Sequence, residues 1–493
     1  MKYISTRDTS ANPREISSAE AIIEGIAPDG GLYIPKSIPR ISAGDFDALM
    51  HMTYPERATL ILAKFLDDYD IDELYEDCEK AYSTENFSPS PITVKKLSSN
   101  MYSLELWHGR TCAFKDLALS LMPRLLSRAL KITGEEKTMH ILVATSGDTG
   151  KAALEGYRDV DGVKITCFYP ADGVSEIQKL QMQTSSGKNV YAAGVRGNFD
   201  DVQSGVKTIL SSERIRAAAE AKGYILGSAN SINWGRLVPQ VVYYISAYCD
   251  LCSSGEIETG DRVNIAVPTG NFGNILAAYI AMKMGLPVDR FICASNSNNV
   301  LTEFINTGVY DRRRALQKTI TPSMDIVLAS NIERLICLFG GTELTADLME
   351  QLSRKGFYKA PESLMDEIQK YFSAYSVNED DTMAEIYLEW EKDGYLLDPH
   401  TAVALGSVVK FRLDTGNVKK TIIASTANPY KFAPAICDAL GMFQGNDIFE
   451  TMNILSAKTG TEIPTQLTEV RTKEIRFSDI INKGDMMELA FRK

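Results

Sequence analysis

One stretch limits the fold more than any other. Val263–Pro268 reads as a strand, apolar at every position but Asn264, and Thr269-Gly270-Asn271-Phe272-Gly273-Asn274 is a tight loop. Residues 275–284 have helical composition and stop at Gly285, and residues 291–294 are apolar again. A buried strand, a glycine turn, a helix and a second strand make a βαβ unit, which joins parallel strands by a right-handed crossover. Loops of such units gather at the carboxyl edge of the sheet, where open α/β folds hold ligands.

Two further units precede this one. Residues 140–144 read as a buried strand, followed by Thr145-Ser146-Gly147-Asp148-Thr149-Gly150, a helix from Lys151 and a strand over 163–169. Residues 189–195 form the next strand. Asp200 is the expected cap of the helix after it, which runs to Lys222 with Gly223 as its stop. The α/β alternation extends from about Pro91 to Pro429. Before it, residues up to about Phe87 are helical in period and contain the turn Pro28-Asp29-Gly30-Gly31. The expected organisation is an N-terminal domain over 1–90, a catalytic α/β region over 91–443 and a C-terminal extension over 444–493. The α/β region includes a charge-rich helical insertion at about 343–395, and the extension is read as irregular with strand-like pieces.

Composition removes several classes of function. A formal net charge of -12 is a poor match for nucleic acid or an anionic membrane, both of which need a basic face. No apolar run approaches the roughly 20 residues that span a bilayer, and residues 1–14 lack an apolar signal region. The eight cysteines have no framework spacing and read as reduced thiols, which points to the cytoplasm. Cys249 and Cys252 are spaced as CxxC, but the chain has only four histidines, and no metal site is expected.

The glycine loops are the first candidates for chemistry. A strand, a glycine turn and a helix start offer unpaired backbone N–H groups and a positive dipole end, which together attract an anion. Nucleotide motifs do not fit the letters. Gly270 and Gly273 give G-x-x-G rather than G-x-G-x-x-G, and residues 294–296 lack the acidic side chain that grips a ribose. Gly150-Lys151 resembles the end of a P-loop, but Thr145 stands where its first glycine belongs and Ala152 follows the lysine.

The other candidate is Lys115, in His108-Gly109-Arg110-Thr111-Cys112-Ala113-Phe114-Lys115-Asp116. Leu117, Leu121, Met122, Leu125 and Leu126 fall on one helical face, and Asp116 is the expected helix cap. A lysine at a helix start among apolar neighbours loses proton affinity, and the resulting neutral amine is what Schiff-base chemistry requires. Most lysines beside a cap are simply exposed, and this segment alone favours that reading. Combined with a hydroxyl-bearing loop and a phosphate-sized glycine loop, it supplies three parts that pyridoxal phosphate needs.

Here the letters resemble threonine synthase, in the tryptophan-synthase-β-like group of fold type II enzymes. Tyr3-Ile4-Ser5-Thr6-Arg7 and Ala27-Pro28-Asp29-Gly30-Gly31-Leu32-Tyr33 look like the N-terminal domain of that family. The lysine segment, Ser146-Gly147-Asp148-Thr149-Gly150, Gly270–Asn274, Ser323-Met324-Asp325-Ile326, Asp398-Pro399-His400-Thr401-Ala402 and Ser425-Thr426-Ala427-Asn428-Pro429 follow in the family's order. Arg110 stands where the family usually has proline, and Asn428 where it usually has histidine.

The resemblance implies two open, mostly parallel α/β domains with pyridoxal phosphate between them, a helical N-terminal domain and a small C-terminal extension. It implies that Lys115 carries the cofactor and moves protons. It also implies that Gly270, Asn271, Phe272, Gly273 and Asn274 hold the cofactor phosphate, that Thr426 faces the pyridine nitrogen and that Asp325 lies at the cofactor or braces its loop. Ser146 and Thr149 are implied for the substrate α-carboxylate, with Asp148 structural, and Asn230, Ser231 and Arg236 for the leaving phosphate. A helix-start polar cluster explains those last three equally well. His108 and His400 are supporting groups on this reading.

The implied reaction is the last step of threonine biosynthesis. A β,γ-elimination and replacement converts O-phospho-L-homoserine and water to L-threonine and phosphate. Two alternatives remain: a related phospholyase or dehydratase that adds no water back, and a non-catalytic interaction protein on the same fold. Monomer and homodimer are both left open.

Overall fold

The computed structural model describes every residue apart from Ser146, Gly173, residues 491–493 and the side chain of Asp200. The expected βαβ units are present. Val263–Pro268 is buried at every position, as a strand covered on both faces must be. It leads through the glycine loop into the helix Gly273–Met284 and then the strand Val288–Ser295.

Two open sheets carry the fold. The larger has the order Phe372–Ser376, Val288–Ser295, Val263–Pro268, Thr421–Ser425, Met101–Glu105, Thr93–Leu97. All its pairings are parallel except the last. The smaller has the order Ile480–Ile481, Val190–Val195, Val163–Pro170, Thr138–Ala144, Tyr224–Gly227, parallel throughout. In the larger sheet the chain runs outward from Val263–Pro268 to Val288–Ser295 and Phe372–Ser376. It then returns to the other side at Thr421–Ser425. That reversal sets the glycine loop and Thr426 side by side at the carboxyl edge, where an α/β sheet opens a crevice.

The N-terminal residues form the antiparallel pair Tyr3–Ser5 and Tyr33–Pro35, followed by the helices Ala43–Leu49, Tyr54–Ala63 and Ile71–Ala81. Ala43–Leu49 and Tyr54–Ala63 pack against Pro239–Ser253, which is apolar on nearly all sides because it lies between these helices and the helix Gly273–Met284. Buried Arg57 ties the two layers through Asp250 at 2.6 Å.

Several local expectations differ from the structure. The cap of Phe199–Ser211 is Asn198, whose side chain accepts from the Asp201 amide, rather than Asp200. The helix stops at Ser212, which caps a second helix over Glu213–Glu220. Asp116 caps nothing: it lies in the first turn of Lys115–Leu119, and its carboxylate accepts from the Thr111 amide and hydroxyl. The leucine pattern after it is split, because Pro123 opens a new helix over Met122–Thr133.

The stretch at 343–395 is not purely helical. It contains the short strand Phe357–Lys359 and the edge strand Phe372–Ser376 of the large sheet. The C-terminal residues are more regular than expected. Helix Ile448–Thr459 buries Phe449, Met452 and Leu455, and Ile480–Ile481 extends the small sheet. Cys249 and Cys252 lie in the last turns of Pro239–Ser253 as free thiols. Among the described residues, no helix is long and apolar enough to cross a membrane.

Candidate active site

Lys115 opens the helix Lys115–Leu119, held there by two contacts with the strand end that carries Thr426. The Phe114 amide donates to the Thr426 carbonyl at 2.8 Å, and Ala113 bridges to Ala427. The Lys115 side chain is 11% exposed, and its Nζ lies 3.1 Å from Ser323 Oγ and 3.7 Å from Asp148 Oδ2. Burial lowers its pKa to about 8; Asp148 opposes that shift, while Arg236 and Lys431 reinforce it. The neutral amine expected from the sequence is therefore accessible near physiological pH.

Asp148 is the charge around which the site is arranged. Its Oδ1 accepts from Lys431 Nζ at 2.7 Å and from Gln178 Nε2 at 3.0 Å. Burial resists ionisation, but Lys431, Lys115 and Gln178 outweigh it and hold the carboxyl well below the usual range. Gly147 makes this possible. At φ +143, a Cβ there would come within 2.3 Å of the Gln178 amide. Ser146, expected beside it, lies outside the described residues.

The structure brings Thr149 and Arg236 together, with Arg236 Nη2 3.5 Å from Thr149 Oγ1. Arg236 is buried, donates to the Ala229 carbonyl at 2.8 Å, and has no ion pair among the described residues. Burial lowers its pKa to about 10, which leaves it a cation at any neutral pH. A buried guanidinium without a carboxylate is poised for an anionic ligand. Asn230 and Ser231 lie in the turn just before it. The Asn230 carbonyl accepts from the Asn233 amide, and the Ser231 carbonyl accepts from Asn331 Nδ2 at 3.1 Å.

The loop ahead of Gly273–Met284 has the donor chemistry of a phosphate cup. Phe272 sits at φ +61, and a Cβ on Gly270 would come within 2.5 Å of the Ser323 carbonyl. Asn274 Oδ1 accepts from the Tyr243 hydroxyl at 2.8 Å and from Tyr244. Its Nδ2 is buried with no hydrogen-bond partner. An orphaned donor at a helix start, in a loop with no carboxylate of its own, fits an incoming phosphate.

The remaining expected residues are placed as follows. Asp325 is saturated within its own loop by Asn296, Asn298 and both the amide and hydroxyl of Thr319, at 2.7–3.0 Å. Thr426 is buried at the strand end beside Phe114. Asn428 caps the turn Pro429–Phe432 through the Tyr430 amide at 3.0 Å, a role for which its short amide is well suited. Arg110 is held by Glu85 at 2.6 Å and Asn86 at 2.8 Å, with Glu155 at 3.9 Å.

His108 joins Glu105 and Thr93, at 3.0 and 2.9 Å. His400 Nδ1 lies 2.9 Å from Asp398, and its Nε2 accepts from the Ser323 amide at 3.3 Å, so the proton is on Nδ1. This histidine therefore braces the residue that receives Lys115.

Residues 2–82 match the family model described as Threonine synthase N terminus, and residues 86–427 match Pyridoxal-phosphate dependent enzyme. The Saccharomyces cerevisiae protein named Threonine synthase is 34% identical over 469 residues, covering 90% of this chain and 89% of the relative. The chain belongs to the threonine synthase family. Its architecture is fold type II, and its cofactor is pyridoxal phosphate.

The solved structure of PLP-bound threonine synthase from Brucella melitensis superposes with a TM-score of 0.88 at 33% identity, covering 99% of this chain and 98% of that one. The human protein Threonine synthase-like 1 is 44% identical over 442 residues, 87% of this chain. This chain spans 58% of that relative's length.

Sequence reasoning missed three participants in this threonine synthase-like site: Lys431, Gln178 and Asn331. Lys431 follows Asn428-Pro429-Tyr430 directly, so its nearness to a family block was the available signal. Gln178 and Asn331 reach the site across 30 residues and 60 residues of chain, to Asp148 and Asn271 respectively, and carry no local signature.

Proposed function

We propose that the chain is a threonine synthase, converting O-phospho-L-homoserine and water to L-threonine and phosphate. The observation that carries this reading is a buried lysine of lowered proton affinity beside a buried arginine with no ion pair among the described residues. The first is suited to covalent cofactor chemistry, and the second to an anionic substrate.

Bound pyridoxal phosphate supplies an electron sink for negative charge at the substrate carbons. On this reading Gly270, Asn271, Phe272, Gly273 and Asn274 hold its phosphate, with the Asn274 Nδ2 donor satisfied by it. Thr426 would face the pyridine nitrogen, where a hydroxyl would not stabilise a protonated ring. Asp325 acts through its loop: its four accepted hydrogen bonds order residues 296–325, which contain Ser323.

Lys115 Nζ accepts the proton from the substrate α-carbon and manages protons at the β-carbon, so that phosphate leaves the γ-carbon and water adds at the β-carbon. Ser323 Oγ, held by the His400–Asp398 pair through its amide, orients that amine. Ser146 and Thr149 take the α-carboxylate. Arg236, with the turn Asn230-Ser231, takes the leaving phosphate.

The test is product analysis. Full-length protein loaded with pyridoxal phosphate and given O-phospho-L-homoserine should release phosphate and L-threonine in equal amounts, and Lys115→Ala should release neither. Phosphate with 2-oxobutyrate in place of threonine identifies a phospholyase instead. Cofactor binding without turnover of this substrate overturns the enzymatic assignment.

A further inference from the structure

Lys431 is a second lysine in the site, and nothing in the reaction described above uses it. Its side chain is completely buried, and its Nζ lies 2.7 Å from Asp148 Oδ1 and 2.7 Å from the Thr111 carbonyl. Asp148 Oδ2 lies 3.7 Å from Lys115 Nζ. One carboxylate therefore bridges two buried amines, tightly bound to Lys431 and loosely to Lys115. A buried carboxylate facing a lone lysine would hold that lysine as an ammonium. Here its charge is already matched by the nearer amine.

We propose that Lys431 is a positioning residue that neutralises Asp148, so that Lys115 is free to lose its proton and take up the cofactor. The other charged and titratable groups around Lys115 are consistent with this division. Helix Asp148–Tyr157 contributes Asp148, held also by Gln178. The turn Trp234–Leu237 contributes Arg236, and Pro322–Met324 contributes Ser323, backed by His400 and Asp398. Asp116, on the same helix as Lys115, is committed to Thr111, and burial raises its pKa to about 6. Burial likewise holds the Cys112 thiol protonated, with its pKa pushed up to about 12. Asp148 is thus the one carboxylate among the described residues within 4 Å of the Lys115 amine, and Lys431 is its closest cation.

The inference rests on Lys115 being the cofactor lysine, and the experiment separates the two. The full-length chain, freed of cofactor, is mixed with pyridoxal phosphate across about pH 6 to 10, and covalent capture is followed by absorbance. Lys115→Ala must abolish capture; if it does not, the assignment of Lys115 fails. In the parent chain the rate should rise with a midpoint near pH 8.

Lys431→Met should move that midpoint up by about one unit or more, a tenfold loss of neutral amine at a fixed lower pH. Lys431→Arg should leave it close to the parent, and Lys431→Met with Asp148→Asn should restore it. An unchanged midpoint in folded Lys431→Met overturns the proposal. If that variant does not fold, Asp148→Asn alone decides. With both amines left and the carboxylate gone, the midpoint should fall, and an unmoved midpoint refutes the coupling.

Discussion

Arg236 and Thr149 meet at 3.5 Å, the arginine buried and without an ion pair among the described residues. A cation kept dry and unneutralised costs stability unless a ligand supplies the missing charge. Hydrogen bonds to a charged partner are worth about 1.5–3 kcal/mol, roughly 10- to 150-fold in affinity. Arg236→Met should therefore raise KM for the phosphorylated substrate by about that factor, with cofactor absorbance retained. Arg236→Lys should fall between, since an ammonium cannot make the paired contacts of a guanidinium. Steady-state kinetics with a cofactor titration measures both; an unchanged KM in Arg236→Met would remove the arginine from the substrate site.

Gly147 is the glycine on which the Asp148 arrangement most depends. An added methyl meets the Gln178 amide at 2.3 Å, on backbone at φ +143 that other residues rarely adopt. Gly147→Ala should cost about 3 kcal/mol or more, as backbone strain and overpacking add. Gly134 is the control: also at positive φ, it has nothing within 4 Å of an added Cβ. Gly134→Ala should cost only about 1–2 kcal/mol. Urea unfolding of the two variants gives the difference. Gly147→Ala should also move the pH midpoint of cofactor capture, because a displaced Gln178 frees Asp148 from one of its partners.

His140 sets part of the acid sensitivity of the fold. It is fully buried in the strand Thr138–Ala144, near Thr166 Oγ1 at 2.9 Å, and burial lowers its pKa to about 3. The unfolded chain, with an imidazole of ordinary affinity near 6.5, then binds the proton more readily than the folded one. Stability from this group is complete above about pH 6.5 and is lost as pH falls toward 3, by up to about 1.4 kcal/mol per unit. His140→Gln keeps a hydrogen-bonding side chain at this position but removes the titration. The stability difference between parent and variant should shrink steadily from pH 7 to about 4.5 in urea unfolding. A difference independent of pH would show that His140 does not titrate on unfolding.

The parts of this molecule legible in the sequence are those whose physics is local. A buried strand, a loop that needs glycine and a helix with a glycine stop are contiguous at 263–285, so this part of the carboxyl edge of the large sheet could be read directly. Helix caps were less legible because aspartate serves several turns equally well. Asp116 receives the amide of Thr111, five residues back, and Asn198 takes the cap expected of Asp200. The edge strand Phe372–Ser376 was hidden by the charged helices on either side, which dominate any window wide enough to show a period. Lys115 was ambiguous alone, because the burial that lowers its proton affinity comes from chain segments that no local window contains. The Lys431–Asp148 pair spans more than half the chain, and nothing around either residue announces the other.

Asn331 offers the strictest test of how the N-terminal domain serves the site. Its Nδ2 donates to the carbonyls of Ser231 at 3.1 Å and Asn271 at 3.0 Å, joining the turn before Arg236 to the glycine loop at 270–274. Its Oδ1 accepts from Arg334, which also donates to the carbonyls of Ile232 and, at 2.9 Å, Tyr33 in the N-terminal sheet. Neighbouring Glu333 holds Arg7 and Thr6. One buried amide thus fixes the spacing of the two segments proposed to bind anions, with the N-terminal domain as its support. Asn331→Ala takes the side-chain donor from the Ser231 carbonyl and leaves the Asn271 carbonyl only the Asn331 backbone amide at 3.1 Å, a loss of about 1 kcal/mol. Asn331→Asp is worse, because it points a carboxylate oxygen at both. In Asn331→Ala the cofactor Kd and the substrate KM should rise together, each by about tenfold, since the two loops lose a common brace. Fluorescence titration of pyridoxal phosphate and steady-state kinetics read the two quantities separately. A variant that loses stability while both constants stay at parental values would reduce Asn331 to a packing residue.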